Sequence, residues 1–345
     1  MNFASDNAAG IAPPIQEALA GANTGFALGY GNDDWTRRVE RRFAELFERE
    51  VAVFLVPTGT AANALALAHV SPPWGAVLCH AESHVATDEC GAVEFFAGVK
   101  LIEIAGEGAK ITPEALQATL ARGRGAPHSV TPSALSLTQA TELGTVYTRA
   151  EVRALAEIAH ARGLAVHMDG ARFANALVRL GSSAAEATWK AGVDVLSFGA
   201  TKGGALAAEA VIFFDPARAA GMPSRRKRAG HLLSKHRFLA AQIEAYLADD
   251  LWLRLARHAN AMAQRLAEGL SAIGVAPAWP VEANEVFARL PRAADARLKA
   301  AGASYYAWPE TGVALAPDEI LVRLVTSFAT TAEEVDGFVA LARAS

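Results

Sequence analysis

Three short stretches carry the residue types that could do chemistry. The first is Pro57-Thr58-Gly59-Thr60-Ala61-Ala62-Asn63, which follows an apolar run at 51–56 and opens an alanine-rich helical stretch at 61–70. A strand, a glycine turn and a helix start leave free backbone N–H groups and the positive end of a helix dipole facing one point, which suits an anion. The hydroxyls of Thr58 and Thr60 add donors. Taken alone, the stretch asks for no more than a threonine-capped helix. Neither GxGxxG nor GxxxxGK[ST] occurs, so dinucleotide and P-loop readings lack their fingerprint.

The second stretch is Val166-His167-Met168-Asp169-Gly170-Ala171-Arg172. Asp169 closes an apolar strand, where a carboxylate is costly unless paired, and Gly170 permits a sharp exit. An acid at the carboxyl end of a strand can meet a cofactor cation; an N-cap aspartate is the ordinary alternative. His167 is read as a core histidine. The third stretch is Ser197-Phe198-Gly199-Ala200-Thr201-Lys202-Gly203-Gly204. Lys202 follows another apolar strand among small residues, where desolvation frees its amine as a nucleophile for Schiff-base formation. A surface lysine in a glycine-rich turn is the plain reading of any one such lysine.

These groups need elements to hold them. Short Val/Leu/Ile-rich runs predict strands at 51–56, 77–80, 100–104, 134–137, 164–168, 195–198 and 210–214, with little polar alternation. That is the pattern of strands buried on both faces of a mostly parallel sheet. Helical periodicity lies between them at 35–48, 61–70, 113–121, 149–162 and 183–191. The alternation implies an α/β fold whose ligand site sits at the carboxyl ends of the strands. After residue 224 the pattern changes to long helices at 238–248 and 251–273, short strands at 285–289, 305–308 and 320–325, and a closing helix at 331–344. The expected organisation is a large cofactor-binding domain, 1–249 with the N-terminal segment, and a smaller C-terminal α+β domain, 250–345.

The chain has 345 residues, is 52% hydrophobic, and carries a net charge of -4, so it is globular and has no broad electrostatic pull toward nucleic acid or anionic membrane. The start, from Met1 to Asp6, does not read as a signal peptide, and no apolar run is long enough to span a bilayer. Cys79 and Cys90 form no CxxC pair, and both read as small buried hydrophobes of a protein at home in a reducing cytoplasm. Arg225-Arg226-Lys227-Arg228 is thin support for nucleic-acid binding in an acidic chain. His80, Glu82 and His84 lack the HExxH or Cys-pair context of a metal site, and no metal is expected.

In combination, an anion cradle, a carboxylate and a lysine, each after its own strand, are the three groups that pyridoxal 5'-phosphate (PLP) needs: for its phosphate, its pyridinium nitrogen and its aldehyde carbon. The chain resembles the L-threonine aldolase / β-eliminating lyase family of fold-type I PLP enzymes over nearly its whole length. The matching stretches are Ser5-Asp6-Asn7, Tyr30-Gly31-Asn32-Asp33, 58–63, 84–89, 167–172, Thr201-Lys202-Gly203 and Val322-Arg323-Leu324-Val325.

The resemblance implies an aspartate-aminotransferase-like large domain and a set of roles. Lys202 would hold the cofactor covalently, Asp169 would face the ring nitrogen, and Gly59 and Thr60 would bind phosphate. His84 would stack on the ring. Arg172 would lie beside the phenolic oxygen and the substrate carboxylate, which Ser5 and Arg323 would hold. His84 and His128 would stand near the β-hydroxyl, and Tyr30 near the active site at a subunit boundary, among the substrate-binding residues. Chemistry agrees with these assignments. A carboxylate keeps the ring nitrogen protonated, an arginine grips a carboxylate bidentately, and a histidine titrates near neutral pH. Arg323 also interrupts an otherwise apolar run at 321–325, which is odd for a solvated strand face.

The chain departs from the family at three points. Its start reads Ser5-Asp6-Asn7 where relatives have Ser-Asp-Thr. A common Glu-Asn-Thr-His stretch is replaced by Thr138-Gln139-Ala140-Thr141-Glu142. A phosphate-binding arginine of many relatives falls near Ser234-Lys235, so Lys235 is the candidate substitute.

The implied activity is retro-aldol cleavage of L-threonine, L-allo-threonine or related L-β-hydroxy-α-amino acids such as phenylserine to glycine and an aldehyde. In that reading His84, or a water held with His128, is the base. The alternatives are β-elimination on cysteine- or serine-type amino acids, and a non-catalytic protein that kept the fold. A homo-oligomer, dimer or tetramer, with sites near subunit boundaries is implied as well.

Overall fold

The computed structural model describes every residue except 123–125, 310–311 and 344–345. Seven strands form one sheet: β1 (Ala52–Val56), β2 (Gly75–His80), β3 (Lys100–Ile104), β4 (Thr131–Thr138), β5 (Ala165–Gly170), β6 (Val195–Gly199) and β7 (Glu209–Phe213). Their order is β1-β7-β6-β5-β4-β2-β3. Strands β2 to β6 pair in parallel with their neighbours, whereas β7 is antiparallel to both β6 and β1. The expected mostly parallel sheet is present. Strand β7 reverses because the connection 200–208 is shorter than the dozen or so residues a parallel crossover takes. Strands β2, β5, β6 and β7 are buried along their whole length, which accounts for their continuous apolar sequences.

Helix Gly59–Val70 is buried at every position from Ala61 to Ala68 and packs on β6 and β7. Its small side chains are what let a helix apolar on all sides lie so close to the sheet. On the opposite side, Phe198 of β6 meets Phe43, Trp252, Phe173 and Tyr246, with ring centroids 5.1 to 6.3 Å apart. Edge-on aromatic pairs of this kind contribute about 0.5–1.5 kcal/mol each beyond their buried area. They fix the end of β6 four residues before Lys202. The helical pattern at 183–191 resolves into a short α-helix, Ala184–Ala187, and a 3₁₀ turn, Trp189–Ala191, because Thr188 leaves helical geometry at φ -123 and ψ -103.

A second, antiparallel sheet contains β8 (Glu285–Pro291), β9 (Tyr306–Ala307) and β10 (Glu319–Val325), in the order β8-β10-β9. Its core joins Val286, Leu290, Val322 and Leu324 to Leu266 and Leu270 of the long helix Leu251–Ala272 and to Phe338 of helix Ala332–Arg343. Phe3 lies in this same core. Its N–H donates to Ser304 O and its carbonyl accepts from Val325 N, both at 2.8 Å. The N-terminal segment therefore starts on the second sheet and carries Ser5, Asp6 and Asn7 toward the first.

Candidate active site

The sheet register sets the site. Thr138 at the end of β4 lies beside Asp169 of β5, Asp169 beside Ser197 of β6, and Gly199 beside Glu209 of β7, which in turn pairs with Val56 of β1. The loops leaving these ends converge on a cavity of about 380 Å³ bordered by Thr58, Gly59, Thr60, Asn63, His84, Asp169 and Lys202. A wider outer cavity of about 700 Å³ is bordered by Ser5, Glu285, Trp308 and Arg323. Asn7, His84, Glu142, Arg172 and Lys202 border both.

Thr58 caps helix Gly59–Val70 through its hydroxyl, which accepts from Ala61 N at 3.1 Å. This leaves the backbone at Gly59 and Thr60 facing the inner cavity. Asp169 is 4% exposed, and both its oxygens are engaged: Asn63 Nδ2 donates to Oδ2 at 2.8 Å and Ala171 N to Oδ1 at 2.9 Å. Asn63 Nδ2 also donates to Glu89 Oε1 at 2.8 Å, and His84 Nδ1 contacts the same oxygen at 2.8 Å. The Glu89 hydrogen bond, against the opposing effect of burial, raises the His84 imidazole above its ordinary range. Behind the site, fully buried His167 sits between the hydroxyls of Ser136 and Ser197, and burial pushes it down to about 4. It is the core histidine that the sequence predicts.

Arg172 is held by two acids. Its Nε donates to Asp6 Oδ2 at 2.8 Å, and a terminal nitrogen lies 3.2 Å from Glu285 Oε2. Burial opposes its charge, but Asp6 and Glu285 outweigh burial and hold it above its usual value. Asp6 is buried too, yet Arg172 and Lys202 keep it below the usual carboxylate range. Arg323, on β10, lies with its guanidinium 4.5 Å from the Trp308 ring centroid, and its buried Nε has no hydrogen-bond partner among the described residues.

Eight of the sequence-predicted residues thus meet around the two cavities: Ser5, Gly59, Thr60, His84, Asp169, Arg172, Lys202 and Arg323. Three do not. His128 is exposed and borders a separate cleft with Lys100, Glu103 and Arg122. Its loop enters β4 at the strand's amino end, whereas the site lies at the carboxyl end. Lys235 is exposed and borders neither cavity. Tyr30 is 50% exposed beneath Lys227 Nζ, 4.6 Å from its ring centroid, and its N–H donates to Ser234 O at 3.0 Å. The segments of Tyr30 and Lys235 therefore meet each other at the surface.

Asn63, Glu89, Glu142, Glu209 and Glu285 were not singled out by sequence reasoning. The one available signal was spacing: Asn63 stands one turn into the helix that Gly59 opens, facing the same strand ends. Three of these residues bordering the inner cavity, Asn63, Glu89 and Glu142, each keep one buried oxygen without a partner among the described residues.

A family model described as beta-eliminating lyase matches residues 2–293. The chain belongs to the beta-eliminating lyase family. Within it, the chain is 47% identical over 306 residues to the low specificity L-threonine aldolase of Pseudomonas aeruginosa, with 88% of each chain covered. It is 44% identical to the enzyme of that name from a Pseudomonas sp., with 90% of each covered. Among solved structures it is similar to the threonine aldolase of Leishmania major, with a TM-score of 0.93 and 30% identity over 99% of this chain and 98% of that one. The expected aspartate-aminotransferase-like fold, a mostly parallel sheet followed by a smaller α+β part, is the fold observed, and the second sheet is antiparallel.

Proposed function

We propose that this chain is a PLP-dependent aldolase that splits L-threonine, L-allo-threonine and related L-β-hydroxy-α-amino acids to glycine and an aldehyde. The observation that carries the reading is that Lys202, Asp169 and the helix start at Gly59-Thr60 border one cavity, which continues to Arg323. The buried oxygens left without partners on Asn63, Glu89 and Glu142 fit a cavity shaped for a polar ligand, so the residues present suit the cofactor.

Gly59, Thr60 and the helix dipole would hold the phosphate, Asp169 the ring nitrogen, and Lys202 the carbon that reacts with amines. When bound, PLP supplies an electron sink for the bond broken at Cα. The rest falls to the chain. The free Nε of Arg323 and the Ser5 hydroxyl receive the substrate carboxylate, which decides which Cα bond is aligned for cleavage. Arg172, already gripped by Asp6 and Glu285, gives the cavity wall a fixed positive charge. The aromatic faces of Trp308 and Tyr306 flank Arg323 and limit water around it.

The reading extends to the assembly and the division of the chain. Residues 1–249 hold the cofactor, and 250–345 bring Arg323 to the substrate. A second copy of the chain covers the surface that holds Tyr30 together with exposed Phe26, Leu28 and Leu233, in a cytoplasmic dimer or tetramer. Among the described residues, no helix is long and apolar enough to cross a membrane.

The test is product analysis with L-threonine, L-allo-threonine and phenylserine beside serine and cysteine. Equimolar glycine and aldehyde from the β-hydroxy substrates supports the aldolase. Ammonia and a keto acid from serine or cysteine, without glycine, would assign the chain to β-elimination instead.

A further inference from the structure

Retro-aldol cleavage needs a group that takes the proton of the substrate β-hydroxyl. Of the two histidines that the family resemblance offers, one borders neither cavity and the other has both ring nitrogens beside acids. His128 borders another cleft. His84 borders both cavities, but its Nδ1 is committed to Glu89 and its Nε2 lies 3.7 Å from Asp88, so each ring nitrogen already faces an acid.

We propose that Glu142 is the catalytic base, its carboxylate taking the proton from the β-hydroxyl. The proposal rests on the aldolase reading above. Glu142 is one of the five residues that border both cavities. A substrate whose amine is at Lys202 and whose carboxylate is at Arg323 must place its β-substituent in that shared space. One oxygen of Glu142, Oε1, is pinned by His84 N at 2.8 Å and Thr138 Oγ1 at 2.9 Å. The other, Oε2, is buried and has no partner among the described residues. One oxygen is thus fixed and one free, the arrangement a positioned proton acceptor requires.

The other buried acids fit less well. Glu209 borders only the inner cavity, where one oxygen accepts from Ala200 N. Glu285 borders only the outer cavity, on the side of Arg172 and Arg323. Burial pushes the Glu142 carboxyl up to about 7, with Asp169 adding to the rise, which puts it in the range where it can both take and release a proton. The titratable and charged groups around it are Asp169, Arg172, Tyr147 and Cys79, with His84 and Lys202 bordering the same cavities.

The balance is simple. The hydroxyl O–H bond breaks and its proton goes to Glu142 Oε2. The freed pair becomes the second bond of the aldehyde C=O. The Cα–Cβ bond breaks with its pair left toward Cα, which later takes a proton to give glycine. Glu142 returns its proton to solvent through the outer cavity.

Glu142→Gln keeps the shape and removes the acceptor. In the PLP-loaded enzyme, phenylserine cleavage should fall by about 100-fold or more relative to deuterium exchange at the α-carbon of glycine, which involves no hydroxyl. The limb of the kcat/KM profile near pH 7 should vanish with it, and Glu142→Asp should restore part of both. In the cofactor-free protein burial pushes both Glu142 and Glu209 up to about 7, so the carboxyl infrared signal titrating near pH 7 should lose the Glu142 part in Glu142→Gln and keep the Glu209 part. Cleavage at the parent rate with the limb intact overturns the assignment. So does an equal loss of cleavage and exchange, which would make Glu142 a support for the cofactor site. A parent enzyme that exchanges glycine but cleaves no β-hydroxy substrate overturns the aldolase reading itself, and the role of Glu142 with it.

Discussion

Asn63 donates to Asp169 across 2.8 Å of buried space, and the same amide nitrogen reaches Glu89 at 2.8 Å. One side chain thus spaces two acids that would otherwise repel each other. Glu89 carries the link on to His84. The acid at the strand end and the histidine on the facing loop are parts of one network, and disturbing one member should be felt at the others.

Asn63→Ala leaves Asp169 and Glu89 each without a donor. We expect a loss of about 1–3 kcal/mol in stability, the range for stranding buried polar groups, measured by urea denaturation, together with weaker PLP retention in dialysis. Asn63→Asp should be worse, because it adds a third carboxylate between the two.

Glu89→Gln should lower the His84 pKa. With Glu89 present, the folded-state value lies above the ordinary 6.5. Stability from that charge is complete below pH 6.5 and is lost as pH rises through the folded value. Imidazole NMR titration should place His84 above 6.5 in the parent and lower in the variant. The variant should also lose this contribution to the fall of stability with rising pH.

Arg323→Lys keeps the charge but gives up both the planar fork and its stacking on Trp308. KM for threonine should rise by about 10-fold or more, with a smaller change in the absorbance of bound PLP. Steady-state kinetics on several substrates checks this: the KM increase should appear for every amino acid tested, since all share the carboxylate.

Gly203→Ala tests how tightly the lysine loop is held. A Cβ at this position would lie 2.0 Å from the Tyr246 hydroxyl and 2.7 Å from its ring. Overpacking of this kind costs about 1–3 kcal/mol. Thermal denaturation should show the loss, and Tyr246→Phe in the same chain should recover only part of it, because the ring contact remains.

Much of the fold was legible because burial writes itself into composition. All seven strands of the large sheet occur where short apolar runs predict them, and β10 shows Arg323 as the polar residue facing the cavity. The reversal of β7 is a matter of loop length and not of hydrophobic pattern. The lysine, the buried acid and the glycine turn were legible because each follows a strand that could be recognised. Glu142 was not: the stretch Thr138-Gln139-Ala140-Thr141-Glu142 stands out as a departure from the family, but nothing in it assigns Glu142 a role. It is buried only because Thr138 pairs beside Asp169 and sends the next loop over the cavity. That His128 borders neither cavity was not legible, because loop residues reveal nothing about which end of a strand they adjoin. Tyr30 and Lys235 lie away from both cavities, on the surface that the proposed second copy would cover, and one chain's sequence does not contain that geometry.

The most direct test of the account is borohydride reduction of the PLP-loaded enzyme followed by peptide mass analysis. The account predicts a pyridoxyl group on the peptide that contains Lys202, at about one per chain, and none in Lys202→Ala. A label on any other lysine, or a chain that takes up no cofactor, would contradict it.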